Sequence, residues 1–342
     1  MSKTSLETMQ PRTQAGRRLV RYALSGAFAA LLLSGCTSAS LEDIGPPTDI
    51  TPKLAREIRS KGFTEQAPIL VRIFKEESEL EIWKKKSSGE YALFKTYPIC
   101  RWSGKLGPKR NSGDRQAPEG FYTVSMGQLN PRSKYYLSFN LGYPNRLEQA
   151  LGHQGEALMV HGACSSSGCY AMTDQGVADI YAIALKALES GQRQFQVQAF
   201  PFRMTAANMA RHGGNPNMSF WQDLKTGYDS FETRRREPAV AYCGGRYVID
   251  KAFAAGAPED PLASCPADAA TSQLMAAARS TETMSLSPAP QAHAYSYVDG
   301  GMHPSFRAML KQYGPERMAK RVSTIKYPIS RPEAALADPF KP

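Results

Sequence analysis

Acidic residues are in short supply in this 342-residue chain: 31 Asp and Glu face 42 Lys and Arg, a formal charge of +11. A surplus of that sign suits an anionic partner, and nucleic acid is the usual one for basic chains. The chain has neither a zinc-finger cysteine pattern nor the aromatic signature of an RNA-binding module, which argues against nucleic acid. Cysteine and histidine are scarce as well, with 6 and 5 copies. His161, Cys164 and Cys169 lie close together, but no second closely spaced pair supplies the remaining ligands of a zinc site, so neither a metal nor another cofactor is expected. The N-terminal apolar stretch, Tyr22 to Leu33, is about 12 residues long, short of the ~20 that a membrane-spanning helix needs.

That stretch has a basic flank, Arg17, Arg18 and Arg21, and a small-residue end, Leu33-Ser34-Gly35-Cys36, so residues 1–36 read as an export signal. The tetrapeptide resembles a bacterial lipobox, which implies that Cys36 is lipidated and becomes the mature N-terminus; a cleaved signal with an incidental cysteine is the alternative. Thr37 and Ser38 carry no retention-type aspartate, which by resemblance to sorted lipoproteins implies the periplasmic side of a Gram-negative outer membrane. Such an anchor tethers a soluble domain without spanning the bilayer. Residues 1–35 carry five basic side chains and one acidic one, so their removal lowers the charge from +11 to +7. An exported basic protein suits a carboxylate-bearing polymer such as peptidoglycan.

With Cys36 lipidated, five cysteines remain, an odd number in an oxidising compartment, so at least one stays free. Cys243 and Cys265 are a candidate disulfide, which leaves Cys100 and Cys164 as a second; connectivity is not fixed by spacing.

The organisation of the chain follows from its periodicity. Residues 37–66 are polar and contain proline, with one helix-compatible piece near Leu54 to Arg59, and read as a tether. Short apolar or alternating runs follow at Pro68–Phe74, Leu80–Trp83, Tyr91–Ile99, Phe121–Val124 and Tyr135–Phe139, expected to form a mainly antiparallel sheet structure. Leu158-Met-Val160 reads as a buried strand ending at His161. Thr173 is a good N-cap for a helix with its apolar stripe at Val177, Ile180, Tyr181, Ala184, Leu185 and Leu188, ended by Gly191. Phe195, Val197 and Ala199 alternate with glutamines, which predicts a half-buried strand. A second helix is expected over 217–226, opened by Ser219 and Gln222 as a capping box and closed near Gly227. Arg234, Arg235 and Arg236 read as a solvated face. Beyond 250 the composition turns to Ala, Pro and Ser, a partly flexible extension ending in a basic segment, Phe306 to Val322, with helical character interrupted at Gly314-Pro315.

The chemistry concentrates in Val160-His161-Gly162-Ala-Cys164-Ser-Ser-Ser167-Gly168-Cys169-Tyr170. A strand delivers a histidine onto a small-residue loop that ends in a cysteine. A thiol nucleophile needs a base or a depressed pKa, and backbone N–H donors for the oxyanion it creates. The plain alternative is a buried cysteine beside a satisfied core histidine.

Val160-His161-Gly162 with Ser167-Gly168-Cys169-Tyr170-Ala171-Met172, preceded by Gly107-Pro-Lys-Arg110 and by Gly113 through Gly120, resembles the L,D-transpeptidase (YkuD-type) catalytic domain, in particular its murein branch. The resemblance covers roughly residues 67–204, with 205–250 a helical and strand continuation and 251–342 the extension. It implies an α+β fold, mainly antiparallel, with a helix packed after the cysteine. It also implies acyl transfer through a thioester on diaminopimelate-containing peptidoglycan stem peptides, in wall cross-linking, remodelling and cell shape. Cys169 would be the nucleophile and His161 the base, with Gly162, Ser167 and Gly168 supporting the oxyanion, and Tyr136, Arg146 and Tyr170 are candidate substrate contacts. His153 is the rival base and Cys164 the rival nucleophile. Ser167 and Ala171 stand where the common pattern has histidine and arginine. This tilts the expectation toward a specialised or hydrolytic role, such as release of a wall-attached outer-membrane lipoprotein. A non-catalytic wall-binding lipoprotein is the reading from another class.

Overall fold

The computed structural model describes residues 46–253, 256–266 and 300–329. The segment read as an export signal, with Cys36, lies outside the described residues, as does most of the Ala/Pro/Ser-rich stretch.

Two five-stranded sheets carry the fold. The first is ordered β3-β2-β1-β10-β5, from β1 (Ile69–Phe74), β2 (Glu79–Lys85), β3 (Tyr91–Pro98), β5 (Gly120–Ser125) and β10 (Gln194–Phe200). The second is ordered β4-β9-β8-β7-β6, from β4 (Arg101–Trp102), β6 (Leu129–Ser133), β7 (Tyr136–Asn140), β8 (Met159–His161) and β9 (Tyr170–Ala171). Each sheet has one parallel pair, β1 with β10 and β8 with β9, and is otherwise antiparallel. The α+β, mainly antiparallel expectation is met.

The helix after Cys169 joins the two sheets. Thr173 Oγ1 accepts the Gly176 N–H and caps Asp174–Glu189, whose apolar stripe contacts β7 and β8 of one sheet and β1 of the other. Val177, Ile180, Ile183 and Ala184 are fully buried there, so this stripe is core, as its spacing predicts.

Several expectations need correction, and in each the cause is a partner distant in sequence. In the stretch read as a tether, the helix-compatible piece near Leu54 to Arg59 does form a helix, but it packs on the core. This helix, Pro52–Ser60, capped by Thr51 and started by Pro52, buries Leu54 and Ile58, and Phe63 meets the Phe94 ring edge-on at 6.1 Å. Strand β10 is buried on both faces instead of one. Gln198 donates to Gln196 and Gln196 donates to Pro238 O, because a second helix, Met218–Arg234, packs Tyr228 against Phe200 on that side. This helix is longer than 217–226, begins at Asn217 without a side-chain cap, and runs through Gly227. Gly227 is no terminator: a Cβ there would run into the Phe121 ring, so its smallness permits close helix-to-sheet approach. Arg235, expected in solvent, ends the helix in the left-handed region and lies 5.0 Å over the Trp83 ring.

A hairpin of β11 (Val240–Cys243) and β12 (Arg246–Ile249) follows, turned by Gly244 and Gly245 at φ 60 and 72, the two positive values that a type I′ turn demands. The extension is packed in its described last part. A helix over Pro304–Val322, broken at Gly314 (φ 73) before Pro315, buries Phe306, Leu310, Met318 and Val322 in a second core built on Cys100 and Cys164.

Candidate functional site

Strands β8 and β9 are three and two residues long and pair in parallel, Val160 with Tyr170 and His161 with Ala171. Side chains alternate along a strand, and Val160 and Tyr170 are fully buried in the core. His161 and Ala171 therefore share the opposite face. Continuing the register by one residue sets Cys169 beside Met159 on that same face. Cys169 is the free cysteine among the described residues; Cys100 pairs with Cys164 and Cys243 with Cys265. A disulfide-bonded Cys164 is not a nucleophile, which removes that rival.

The loop between the strands is held from several sides. Gly162 must be glycine, since a Cβ would lie 2.7 Å from Asp174 Oδ1 and 2.8 Å from Tyr135 O. Ala163 and Cys164 follow at φ 63 and 51, a left-handed kink held by the disulfide and by the Ala163 N–H donating to Asp174 Oδ1 at 2.7 Å. At the far end, Ser166 Oγ donates to Cys169 O at 2.7 Å and the Gly168 N–H donates to Ser103 Oγ at 3.0 Å. The Gly162 N–H donates to Tyr135 O and Leu137 O. Two expected oxyanion donors, Gly162 and Gly168, are thus already engaged, and Ser167 is exposed.

His161 is 2 % exposed, and its Nδ1 lies 2.7 Å from Gly162 O. A carbonyl oxygen only accepts, so Nδ1 carries the proton and Nε2 is the basic nitrogen. Burial pushes the imidazole pKa down to about 4, against the opposing pull of the Gly162 carbonyl and the Asp174 charge. The ring is neutral at pH 7. One of its neighbours is Tyr135, centroid to centroid 4.6 Å. Cys169 is partly exposed, and its thiol faces Ala157 O at 3.9 Å. Burial raises the thiol pKa, opposed by a hydrogen bond from the Met159 backbone and by the Lys109 charge. The resting pair is thus thiol and neutral imidazole, with the sulfur turned toward Ala157.

The Gly107–Gly120 loop approaches from the other side and is pinned by a buried ion pair. Lys75 Nζ lies 2.9 Å from Glu119 Oε1, both side chains fully buried. Lys75 also donates to Ala117 O and Gly107 O, while Glu119 accepts from the Gly107 N–H and from Trp221 Nε1. Asp114 accepts from Lys109 Nζ and from the N–H groups of Arg110, Asn111 and Gln116, which folds the loop tip. Every charge of the buried pair is hydrogen-bonded, the condition under which such a pair is tolerated.

The remaining candidates separate. Tyr136 sits at φ 77 with its Cβ against Gly162, beside the histidine loop. Tyr170 is fully buried and donates to Pro118 O at 2.6 Å, so its hydroxyl braces the Gly107–Gly120 loop from within the core. Arg146 donates to Glu259 O and lines a cavity of about 450 Å³ with Thr123, Gln196 and Tyr242, away from the residues that touch Cys169. His153 lines a different cavity of about 320 Å³ with Arg110, Glu148 and Tyr247. Sequence reasoning missed Asp174, Tyr135 and Lys109 as neighbours of the pair. The acidic residue just inside a capped helix was legible for Asp174, but its bond to Ala163 was not.

No family model matches the chain. It is 44% identical over 239 residues to the Escherichia coli K12 protein named "Putative L,D-transpeptidase YafK", covering 69% of this chain and 94% of that protein, and equally to its counterpart in Escherichia coli O157:H7. Among solved structures, it shows a likeness to the helical cell shape determining protein Pgp2 from Campylobacter jejuni (16% identity, TM-score 0.32, 55% of this chain and 79% of that one). Another is Bd1075 from Bdellovibrio bacteriovorus (16% identity, TM-score 0.28, 50% and 59%). The identity to the Escherichia coli proteins, nearly end to end on their side, is sufficient on its own: the chain belongs to the L,D-transpeptidase family.

Proposed function

We propose that the chain is a cysteine-dependent peptidoglycan L,D-transpeptidase in which Cys169 attacks and His161 shuttles the proton. The observation that carries this reading is the β8–β9 register. It sets a free thiol on the same sheet face as a neutral imidazole whose Nδ1 proton is committed to Gly162 O.

A turn about the Cys169 Cα–Cβ bond swings the sulfur from Ala157 O toward the imidazole. The thiol proton passes to Nε2 as sulfur bonds to the carbonyl carbon of a diaminopimelate-containing stem peptide. The oxyanion is assigned to the Cys169 N–H, since those of Gly162 and Gly168 are engaged. Collapse breaks the carbon–nitrogen bond, and the departing amine takes the proton from Nε2. An acceptor amine then attacks the thioester, gives its proton to Nε2 and leaves a new amide; the imidazolium returns that proton to sulfur. Water in place of the amine gives hydrolysis from the same thioester, including release of a wall-attached lipoprotein. A neutral resting imidazole supports this order of events, because a base must be unprotonated before the attack.

Incubation with purified sacculi, followed by muropeptide separation and mass spectrometry, tests the reading. New amide cross-links or attachments are expected for transfer, and shortened or released products for hydrolysis. Binding to sacculi with no covalent change would leave a wall-binding lipoprotein and overturn the proposal. We assign the chain to the periplasmic side of the outer membrane through a lipid on Cys36. The Cys36→Ala variant should leave the membrane fraction, and salt-resistant retention would contradict the anchor.

A further inference from the structure

Residues 300–329 are fastened to the wall behind His161 at four places. Gly301 and Trp102 exchange both backbone hydrogen bonds, at 3.0 and 3.1 Å. Met302, Phe306, Leu310 and Met318 bury the Cys100–Cys164 disulfide, which holds the kinked start of the histidine loop. Past the helix end, Thr324 donates to Asp174 Oδ2 twice, from its backbone N–H at 2.5 Å and from Oγ1 at 2.6 Å. The Tyr327 ring then lies 4.8 Å from that of Tyr135, tilted by 32°, and Tyr135 lies 4.6 Å from the His161 ring.

From Asp174 a continuous path leads to the imidazole. One carboxylate oxygen, Oδ2, holds the C-terminal segment. The other, Oδ1, accepts the Ala163 N–H at 2.7 Å, and the carbonyl of the preceding Gly162 accepts the His161 Nδ1 proton at 2.7 Å. The peptide that contributes both groups, the Gly162 C=O and the Ala163 N–H, is a rigid plane. Fixing its N–H therefore fixes the direction of the carbonyl that selects the tautomer. Asp174 is buried, so its carboxylate oxygens need hydrogen-bond partners, and Thr324 and the Ala163 N–H supply them. On the other side of the ring, Tyr135 is 37% exposed, and Tyr327 backs it against displacement.

We propose that Thr324 and Tyr327 are positioning residues of the site, holding His161 in its Nδ1–H tautomer and in orientation through Asp174 and Tyr135. The inference rests on the reading of His161 as the base. It gives the C-terminal segment a part in acyl transfer that its distance along the chain conceals. Neither residue touches substrate; both act through the histidine.

The test compares Thr324→Val, Thr324→Ser and Tyr327→Ala in the full chain, reading kcat and KM on a purified muropeptide together with the ¹⁵N imidazole spectrum of His161. Thr324→Val and Tyr327→Ala should lower kcat about 10- to 100-fold, the cost of a misplaced reacting group, with KM changed less than about twofold. Thr324→Ser keeps the hydroxyl donor and should restore most of the rate. In Thr324→Val the His161 spectrum should lose its single-tautomer signature, while that of His153 stays as in the parent. Parent-like kcat and an unchanged tautomer in both variants would overturn the proposal. So would a rise in kcat, which would make the segment a cover instead of a support. Should Tyr327→Ala fail to fold, the exposed, near-isosteric Thr324→Val carries the test. Retained activity in Cys169→Ser and His161→Gln would instead defeat the functional reading, and the His161 tautomer in Thr324→Val would still decide the positioning claim.

Discussion

Two histidines, eight residues apart, sit in opposite kinds of surroundings. His161 ends a buried strand, gives its Nδ1 proton to a neighbouring carbonyl, and is flanked by a tyrosine ring and an aspartate. His153 follows a turn in irregular chain, half-buried, its Nδ1 without a hydrogen-bond partner, and its pKa is lowered by burial and by the Arg110 charge. Near it Glu148, buried and bonded to Tyr122 and Asn145, is pushed up to about 7. The contrast teaches that burial alone does not make a site. Both imidazoles are driven toward the neutral form, but only one has its tautomer and orientation fixed and shares a sheet face with a free thiol.

The comparison is broken most directly by exchanging the two residues' fates. His161→Gln should cost about two to four orders of magnitude in kcat/KM, the range of general acid–base catalysis, and His153→Gln less than about threefold. The reverse order, measured on one muropeptide, would transfer the role of base to His153. Cys169→Ser should abolish turnover while leaving the unfolding midpoint near that of the parent. A residual thioester detected by mass spectrometry in that variant would contradict the assignment.

Stability against pH sharpens the contrast. His161, at about 4 in the fold and 6.5 unfolded, contributes stability that is complete above pH 6.5 and is lost as pH falls toward 4, about 3 kcal/mol in all. Glu148, at about 7 in the fold and 4.5 unfolded, contributes the opposite limb, complete below pH 4.5 and lost as pH rises through 7, again about 3 kcal/mol. In the parent the two slopes offset one another over the shared window. Urea unfolding of Glu148→Gln should show stability rising from pH 4.5 to 6.5, and His161→Gln should show it falling. Parallel slopes would mean that one of the two groups is not buried as the structure has it. The smallest effect concerns charge at a distance: Arg110→Gln should raise the His153 titration midpoint by removing a like charge, with that of His161 unmoved, as read by NMR.

Iodoacetamide labelling reports on the thiol side of the same contrast. Because burial raises the Cys169 pKa above its usual value, labelling should still be climbing at pH 9. A plateau by pH 7 would point to a resting thiolate–imidazolium pair.

By itself, the sequence determined whatever depends on neighbours within a few residues. Short apolar or alternating runs marked the β1–β3 strands, Thr173 marked its helix, and small residues between His161 and Cys169 marked the loop on which a thiol and a base meet. Local patterns are sufficient there because side-chain period and capping are set by the backbone over one or two turns. Tertiary structure decided what depends on partners far along the chain. It paired Cys100 with Cys164, covered the glutamine face of β10 with a helix, turned Gly227 from a terminator into a contact, and consigned Tyr170 to the core. It also brought Thr324 to Asp174 across 150 positions. A hydrogen bond or a ring contact of that separation leaves no periodic trace, since its energy depends on where the two segments end up in space.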